Sequence, residues 1–259
     1  MRNSYIKNKL NILISNDDGI EASGLKILAK AFSKSHRVTI VAPDREQSAT
    51  SHSLTLQRPL RVKKINTNSY SVDGTPTDCI NLAVNGILNK KPDLVVSGIN
   101  HGPNMGDDIT YSGTVSAAME GTLLGIPSIA VSIVSRKQFK FNVASEFALY
   151  LAKIILRKGL PPDTLLNVNV PNLPRKLING VSITHQGKRI YEDLVFKKHD
   201  PRGAEYYWIG GGDAKWEKSK GTDFEAIEKG MISITPLHLD LTNYRALNIL
   251  KEWKMRILL

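Results

Sequence analysis

The chain has a single cysteine, Cys79, in 259 residues, which excludes an intramolecular disulfide and agrees with a reducing compartment. It has no apolar run near the roughly 20 residues of a membrane-spanning helix, so no such span is expected. Residues 1–9 are polar and basic and lack the apolar core and small-residue cleavage site of a secretory signal; a cytoplasmic location is expected. Internal repeats, low-complexity tracts and clear linkers are absent. No G-x-G-x-x-G follows the first strand pattern, which leaves NAD binding a weak reading. Dense basic clusters are missing too. The net charge of +11, from 35 Lys and Arg against 24 Asp and Glu, is spread out, and its densest patches, Arg61-Val62-Lys63-Lys64 and Lys197-Lys198-His199, are short. Such a surface suits an anionic ligand, but nucleic acid is not expected as a main partner.

What is present is an ordinary globular composition, 41% hydrophobic and 23% charged, on a length that suits one large α/β domain. The organising stretch is Leu10-Asn11-Ile12-Leu13-Ile14-Ser15-Asn16-Asp17-Asp18-Gly19, an apolar strand pattern that stops on two adjacent carboxylates and a glycine. In a parallel sheet, ligands gather beyond the carboxyl ends of the strands. Two carboxylates held together repel, and a fold keeps them by sharing a proton or by placing a cation between them. Asn, Asp and Gly also close ordinary turns, so on this stretch alone both readings stand.

Leu25, Leu28, Ala29 and Phe32 form a helical apolar stripe, and Arg37 to Ala42 reads as a second strand running into Pro43-Asp44-Arg45-Glu46-Gln47-Ser48. Together with the first strand they make a right-handed βαβ unit. Ser53 to Val72 reads as a hairpin or extended excursion. Thr77 is placed to cap the next helix, with Asp78 serving the dipole of its first turn and Cys79 packed beside it. The strand Pro92 to Ser97 breaks into the loop 98–106, which holds Asn100, His101 and Asn104. Tyr111-Ser112-Gly113-Thr114 then opens a helix of small residues, whose first turn could bind an anion or simply be capped by Ser112 or Thr114. Strand Gly125 to Ser132, helix Val143 to Leu156 and strand Thr164 to Val170 follow. Beyond them Val181 to Thr184, Arg189 to Phe196, Tyr206 to Ile209 and Met231 to Thr235 read as strands, and Asn243 to Leu259 as a terminal helix. The expected architecture is one domain, 1–259: an α/β core over 10–170 that carries the site, and a β-rich extension over 181–259.

The strand-end loops of this scheme gather Asp17, Asp18, the Gln47-Ser48 segment and Asn100 ahead of the Ser112-Gly113-Thr114 helix start. Two carboxylates, a hydroxyl and an amide oxygen are hard donors that suit Mg²⁺ or Mn²⁺ rather than zinc. A divalent ion neutralised by them could still polarise a phosphoryl oxygen, which points to phosphomonoester hydrolysis.

Ser15-Asn16-Asp17-Asp18-Gly19, Ala42-Pro43-Asp44-Arg45-Glu46-Gln47-Ser48, Gly74-Thr75-Pro76-Thr77-Asp78-Cys79, Ser97-Gly98-Ile99-Asn100-His101-Gly102 and Tyr111-Ser112-Gly113-Thr114-Val115 resemble, in order, the motifs of the SurE family of survival-protein nucleotidases. The likeness continues through Asp200-Pro201-Arg202-Gly203, Tyr206-Tyr207-Trp208-Ile209-Gly210-Gly211, Gly221-Thr222-Asp223 and Ser233-Ile234-Thr235-Pro236-Leu237. It implies a three-layer α/β/α sandwich, Rossmann-like in its N-terminal part, with a swapped hairpin or C-terminal arm that builds dimers or tetramers. It implies a phosphatase acting on nucleoside 5′- and 3′-monophosphates, with exopolyphosphate cleavage in some members, and one divalent metal ion per subunit. By motif position the metal ligands fall on Asp17, Asp18, Ser48 and Asn100, and the phosphate contacts on Ser112, Gly113 and Thr114 with Asn104 as a neighbour. Asp17 and Asn100 are the expected catalytic residues. Asp17 would orient or deprotonate the attacking water, with an aspartyl-phosphate through Asp17 as the competing route. His101 and His238 stay open between acid catalysis and ordinary hydrogen bonding. The rival of another class is a metal-dependent nucleotide or RNA binder with little turnover, while a D-x-D phosphatase is disfavoured because Asp17 and Asp18 are adjacent.

Overall fold

The structure, a computed structural model, describes residues 9–190, 195–209, 215–253 and 255. The chain runs β1 (Asn11–Ser15), α1 (Ser23–Ser33), β2 (Arg37–Pro43), the hairpin β3 (Val62–Asn66) and β4 (Ser69–Val72), then α2 (Pro76–Leu82). It continues through β5 (Leu94–His101), α3 (Gly113–Leu123), β6 (Ser128–Val134), α4 (Phe141–Lys158) and β7 (Thr164–Pro171). The remainder comprises β8 (Val181–Ile183), β9 (Arg189–Ile190), β10 (Val195–His199), β11 (Glu205–Ile209), β12 (Lys215–Trp216), α5 (Asp223–Glu228), β13 (Ile232–His238) and α6 (Tyr244–Glu252).

The main sheet has the order β3-β4-β2-β1-β5-β6-β7-β13-β8. From β4 to β7 its strands are parallel, and β13 closes on β7 in antiparallel register. Helices cover both faces. Ile12, Ile14 and Val96 share a core with Leu25, Leu28 and Phe32 of α1 and with Ala144, Ala148 and Leu151 of α4. Leu13, Val41 and Val95 point the other way, into a core with Ile80 of α2 and Ala117 of α3. Alternating side chains of β1 therefore enter two different cores, which is why that strand reads as an unbroken apolar run. The three-layer sandwich expected of the sequence is the fold observed. Hairpin β10–β11 stands away from the sheet with every residue exposed, Trp208 and Ile209 among them.

Three local expectations are corrected. Thr75, not Thr77, caps α2: its hydroxyl accepts from the Asp78 backbone N–H at 3.0 Å while the Asp78 carboxylate accepts from the Thr75 N–H at 2.9 Å. Pro76 then occupies the first helical position, where its missing N–H costs nothing. Asp78 also accepts from the N–H and hydroxyl of Thr55, so it is structural. Second, β5 does not break at Gly98 but continues to His101 across a register shift between Gly98 and Asn100, so Asn100 sits on a strand end rather than in a loop. Third, the expected strand 189–196 resolves into parts of β9 and β10; residues 191–194, like Gly210, Gly211 and residues 256–259 of the expected terminal helix, lie outside the described residues.

Phe32 is wholly buried in the core that seats β1. Phe32→Ala is expected to cost about 3–5 kcal/mol, read as a lower urea midpoint at unchanged m-value; a loss under 1 kcal/mol would contradict this packing.

Candidate active site at the carboxyl end of the sheet

Strand β1 has β2 on one side and β5 on the other, so the chain leaves it in opposite directions. That reversal opens a crevice beyond the strand ends. A cleft of about 310 Å³ lies there, lined by Asp17, Asp18, Glu46, Ser48, Ala49, Asn100, His101, Asn104, Tyr111 and Ser112. The expected site residues Asp17, Asp18, Ser48, Asn100, Asn104 and Ser112 thus meet in one place, although β1, β2, β5 and the start of α3 deliver them separately.

Asp17 is 5% exposed. Burial pushes its carboxyl up to about 6, with Asp18 adding to the rise and a hydrogen bond from the Thr114 hydroxyl opposing it. Gly113 lies against the same side chain: a Cβ there would stand 2.8 Å from the Asp17 Cβ, so a residue without one is required. Thr114 and Gly113 accordingly back Asp17, while Ser112 caps α3 by accepting from the Val115 N–H at 3.0 Å. Asp18 accepts from the ring Nδ1 of His101 at 3.1 Å and from its backbone N–H at 3.3 Å. That hydrogen bond holds His101 above its ordinary value against the opposing effect of burial, and the ring is flanked by Phe139 and Phe141. The Ser48 hydroxyl donates to Glu46 at 2.7 Å, and the Asn100 amide N–H donates to the Gly102 carbonyl at 2.9 Å. Both therefore keep oxygen lone pairs for another partner. His238 is elsewhere. It pairs in register with Thr164 at the start of β7, the opposite end of the sheet.

Asn104 is buried and fixed on three sides: its N–H donates to Asn169 Oδ1, its carbonyl accepts from Asn167 and Asn169, and its amide donates to Ser132 Oγ at 2.8 Å. The sequence reading missed these supports and the acidic wall of Glu46. A signal was available in Asn167 and Asn169, two amides at i and i+2 inside an apolar strand, which places both on one face.

The donor set fits one hard divalent cation. Two carboxylates, a hydroxyl and an amide oxygen converge, and an acid held partly protonated by burial is what a nearby cation would relieve. Among the described residues no three His, Cys, Asp or Glu side chains form a metal cluster; Ser48 and Asn100 are the neutral oxygen donors that line the cleft with the two carboxylates.

The family model described as "Survival protein SurE" matches residues 12–193. The chain belongs to the SurE family. Proteins named 5′-nucleotidase SurE are similar over nearly the full length: that of Geotalea daltonii is 55% identical, covering 95% of this chain and 100% of its own, and that of Geobacter metallireducens is 55% identical, covering 94% and 97%. The crystal structure of the SurE protein from Aquifex aeolicus superposes with a TM-score of 0.86 at 49% identity, covering 95% of this chain and all of that one. The SurE fold therefore extends past the matched segment into the β-rich second half.

Because the native carboxyl of Asp17 titrates near 6 against an ordinary 3.8, the native state holds more protons than the unfolded chain between these values. The Asp17 contribution to the stability of the metal-free protein should fall as pH rises from 4 to 6 and level off above, with the raised His101 adding a separate loss at higher pH. The size is about 2–3 kcal/mol, measured by urea unfolding in EDTA. Asp17→Asn should lack this slope; an identical slope in the variant would remove Asp17 as its source.

Proposed function

We propose that this protein is a divalent-metal-dependent phosphomonoesterase of the cytoplasm that hydrolyses nucleoside 5′- and 3′-monophosphates to nucleoside and phosphate, with short polyphosphate as a further substrate. The observation that carries the reading is the buried Asp17, raised to about 6 beside Asp18, facing a cleft at the first turn of α3. The names of its SurE relatives support the substrate class.

On this reading Asp17, Asp18, Ser48 and Asn100 would hold one Mg²⁺ or Mn²⁺, which would supply charge neutralisation and Lewis acidity. The chain does the rest. The Gly113 N–H at the start of α3 receives an equatorial phosphoryl oxygen where the helix dipole favours negative charge, while the N–H and hydroxyl of Thr114 stay on Asp17. Asn104, with its amide pinned to Ser132, keeps a second amide hydrogen for the same group. Asp17 orients the attacking water and takes its proton, held in place by the Thr114 hydroxyl. Assembly belongs to the proposal as well. Hairpin β10–β11 exposes Phe196, Tyr207, Trp208 and Ile209, a surface that a second copy would cover in a homodimer or homotetramer.

The test is phosphate release from 5′- and 3′-nucleoside monophosphates with Mg²⁺, Mn²⁺ or EDTA. Release should require the metal and fall at least about 100-fold in Asp17→Asn. No release from any nucleotide by folded, metal-loaded protein would overturn the proposal in favour of a binding role.

A further inference from the structure

The Gly221-Thr222-Asp223 motif lies more than a hundred residues from the cleft loops and has no part in the chemistry above. Asp223 is fully buried, and its two oxygens are divided between different segments. Oδ1 accepts from the backbone N–H groups of Gly187 at 2.8 Å and Phe224 at 3.0 Å; Oδ2 accepts from the N–H of Gly106 at 2.8 Å. Gly106 has φ +53°, and a Cβ there would meet the Gly187 carbonyl oxygen at 2.7 Å. The second half of the chain thus presses directly on this point. Two further ties follow in the next turn: the Arg189 N–H donates to Asp107 at 3.1 Å, and its guanidinium meets Asp108 at 2.7 Å.

Gly106 stands two residues after Asn104 and opens the 3₁₀ turn Gly106–Tyr111 that delivers Ser112 to the start of α3. The loop is therefore held at both of its functional ends: Asn167, Asn169 and Ser132 fix Asn104 from the sheet, and Asp223 with Arg189 fixes Gly106 to Asp108 from the β-rich half. A misplacement of about 1 Å in a positioning group is enough to cost large factors in binding and rate.

We propose that Asp223 is a positioning residue of the active site, through which the β-rich half sets the phosphate-binding loop 104–112 without contributing to the metal ligands. The proposal rests on the phosphatase reading, and its test separates the two. Asp223→Asn is the informative change. With its Oδ1 retained on Gly187 and Phe224, its amide N–H₂ faces the Gly106 N–H, donor against donor, so the loop contact is lost selectively. Competitive inhibition by inorganic phosphate, KM for a nucleoside monophosphate, and Mn²⁺ affinity by titration calorimetry are measured on wild type and variant. Phosphate Ki and KM should rise roughly tenfold in Asp223→Asn while Mn²⁺ affinity stays within about twofold. Arg189→Ala, which removes the Asp108 ion pair and keeps the backbone tie, should move the same two constants several-fold in the same direction, and it decides the matter if Asp223→Asn does not fold. Unchanged phosphate Ki and KM in a folded variant, or an equal loss of Mn²⁺ affinity, overturns the proposal. Absence of turnover in the wild type would instead overturn the phosphatase reading.

Discussion

The cleft depends on keeping the Asp17 carboxylate out of water with Asp18 beside it. A buried carboxylate costs several kcal/mol unless hydrogen bonds or charge compensate it. Compensation comes from α3, whose Thr114 hydroxyl bonds to Asp17 and whose positive end is brought close. Such proximity needs Gly113, since any side chain there would collide with Asp17. The glycine of the Ser-Gly-Thr turn thus has a structural duty whatever ligand the cleft receives. The turn belongs to the carboxylate as much as to any ligand.

The constraint propagates outward. To hold α3 against the end of β1, the chain must place the cap Ser112, and Ser112 is reached only through the turn that begins at Gly106. That turn is secured on one side by amides of β7 and a serine of β6, and on the other by Asp223 from the start of α5. Ser48 needs separate support, because the segment between β2 and β3 has no regular structure. The segment is tied by the Gln47 N–H to the Asp17 carbonyl at 2.7 Å, by Thr55 to Asp78, and by His52 to the buried Glu120 of α3 at 2.9 Å. Both carboxylates that anchor it come from the helices covering the same face of the sheet.

Much of this was legible from residues alone. The periodicities of Leu25 to Phe32 and of β1, β2 and β7 placed their elements because apolar spacing reports burial directly. The cleft residues were legible for a different reason: each falls where an apolar strand gives way to oxygen-bearing side chains. What escaped the reading depends on distant partners. Thr75 is the exception, a local signal: Pro76 directly after it and Asp78 three residues on mark it, rather than Thr77, as the cap. The continuation of β5 to Asn100 needs a bulge at Ile99 in its pairing with β6, which no local pattern announces. Asp223 could be seen as part of a motif, but the backbone N–H it serves at Gly106 is over a hundred residues away, and no local pattern encodes that.

Charge explains why this arrangement asks for a cation. The chain carries +11 overall, yet Asp17, Asp18 and Glu46 line the cleft, and no lysine or arginine is among its lining residues. Its one basic side chain, His101, is committed to Asp18. A phosphomonoester brings up to two negative charges of its own, and at about 5 Å each like-charged pair costs on the order of 3 kcal/mol at an effective dielectric constant of 20. The start of α3 offers roughly half a positive charge, too little to offset three carboxylates. On the proposed reading, a divalent ion among Asp17, Asp18, Ser48 and Asn100 would offset two of the three carboxylate charges and, with the helix start, bring the cleft close to neutral. On that reading the basic surface would act at longer range, drawing anionic substrate toward a cleft whose own acids need the metal before it can enter.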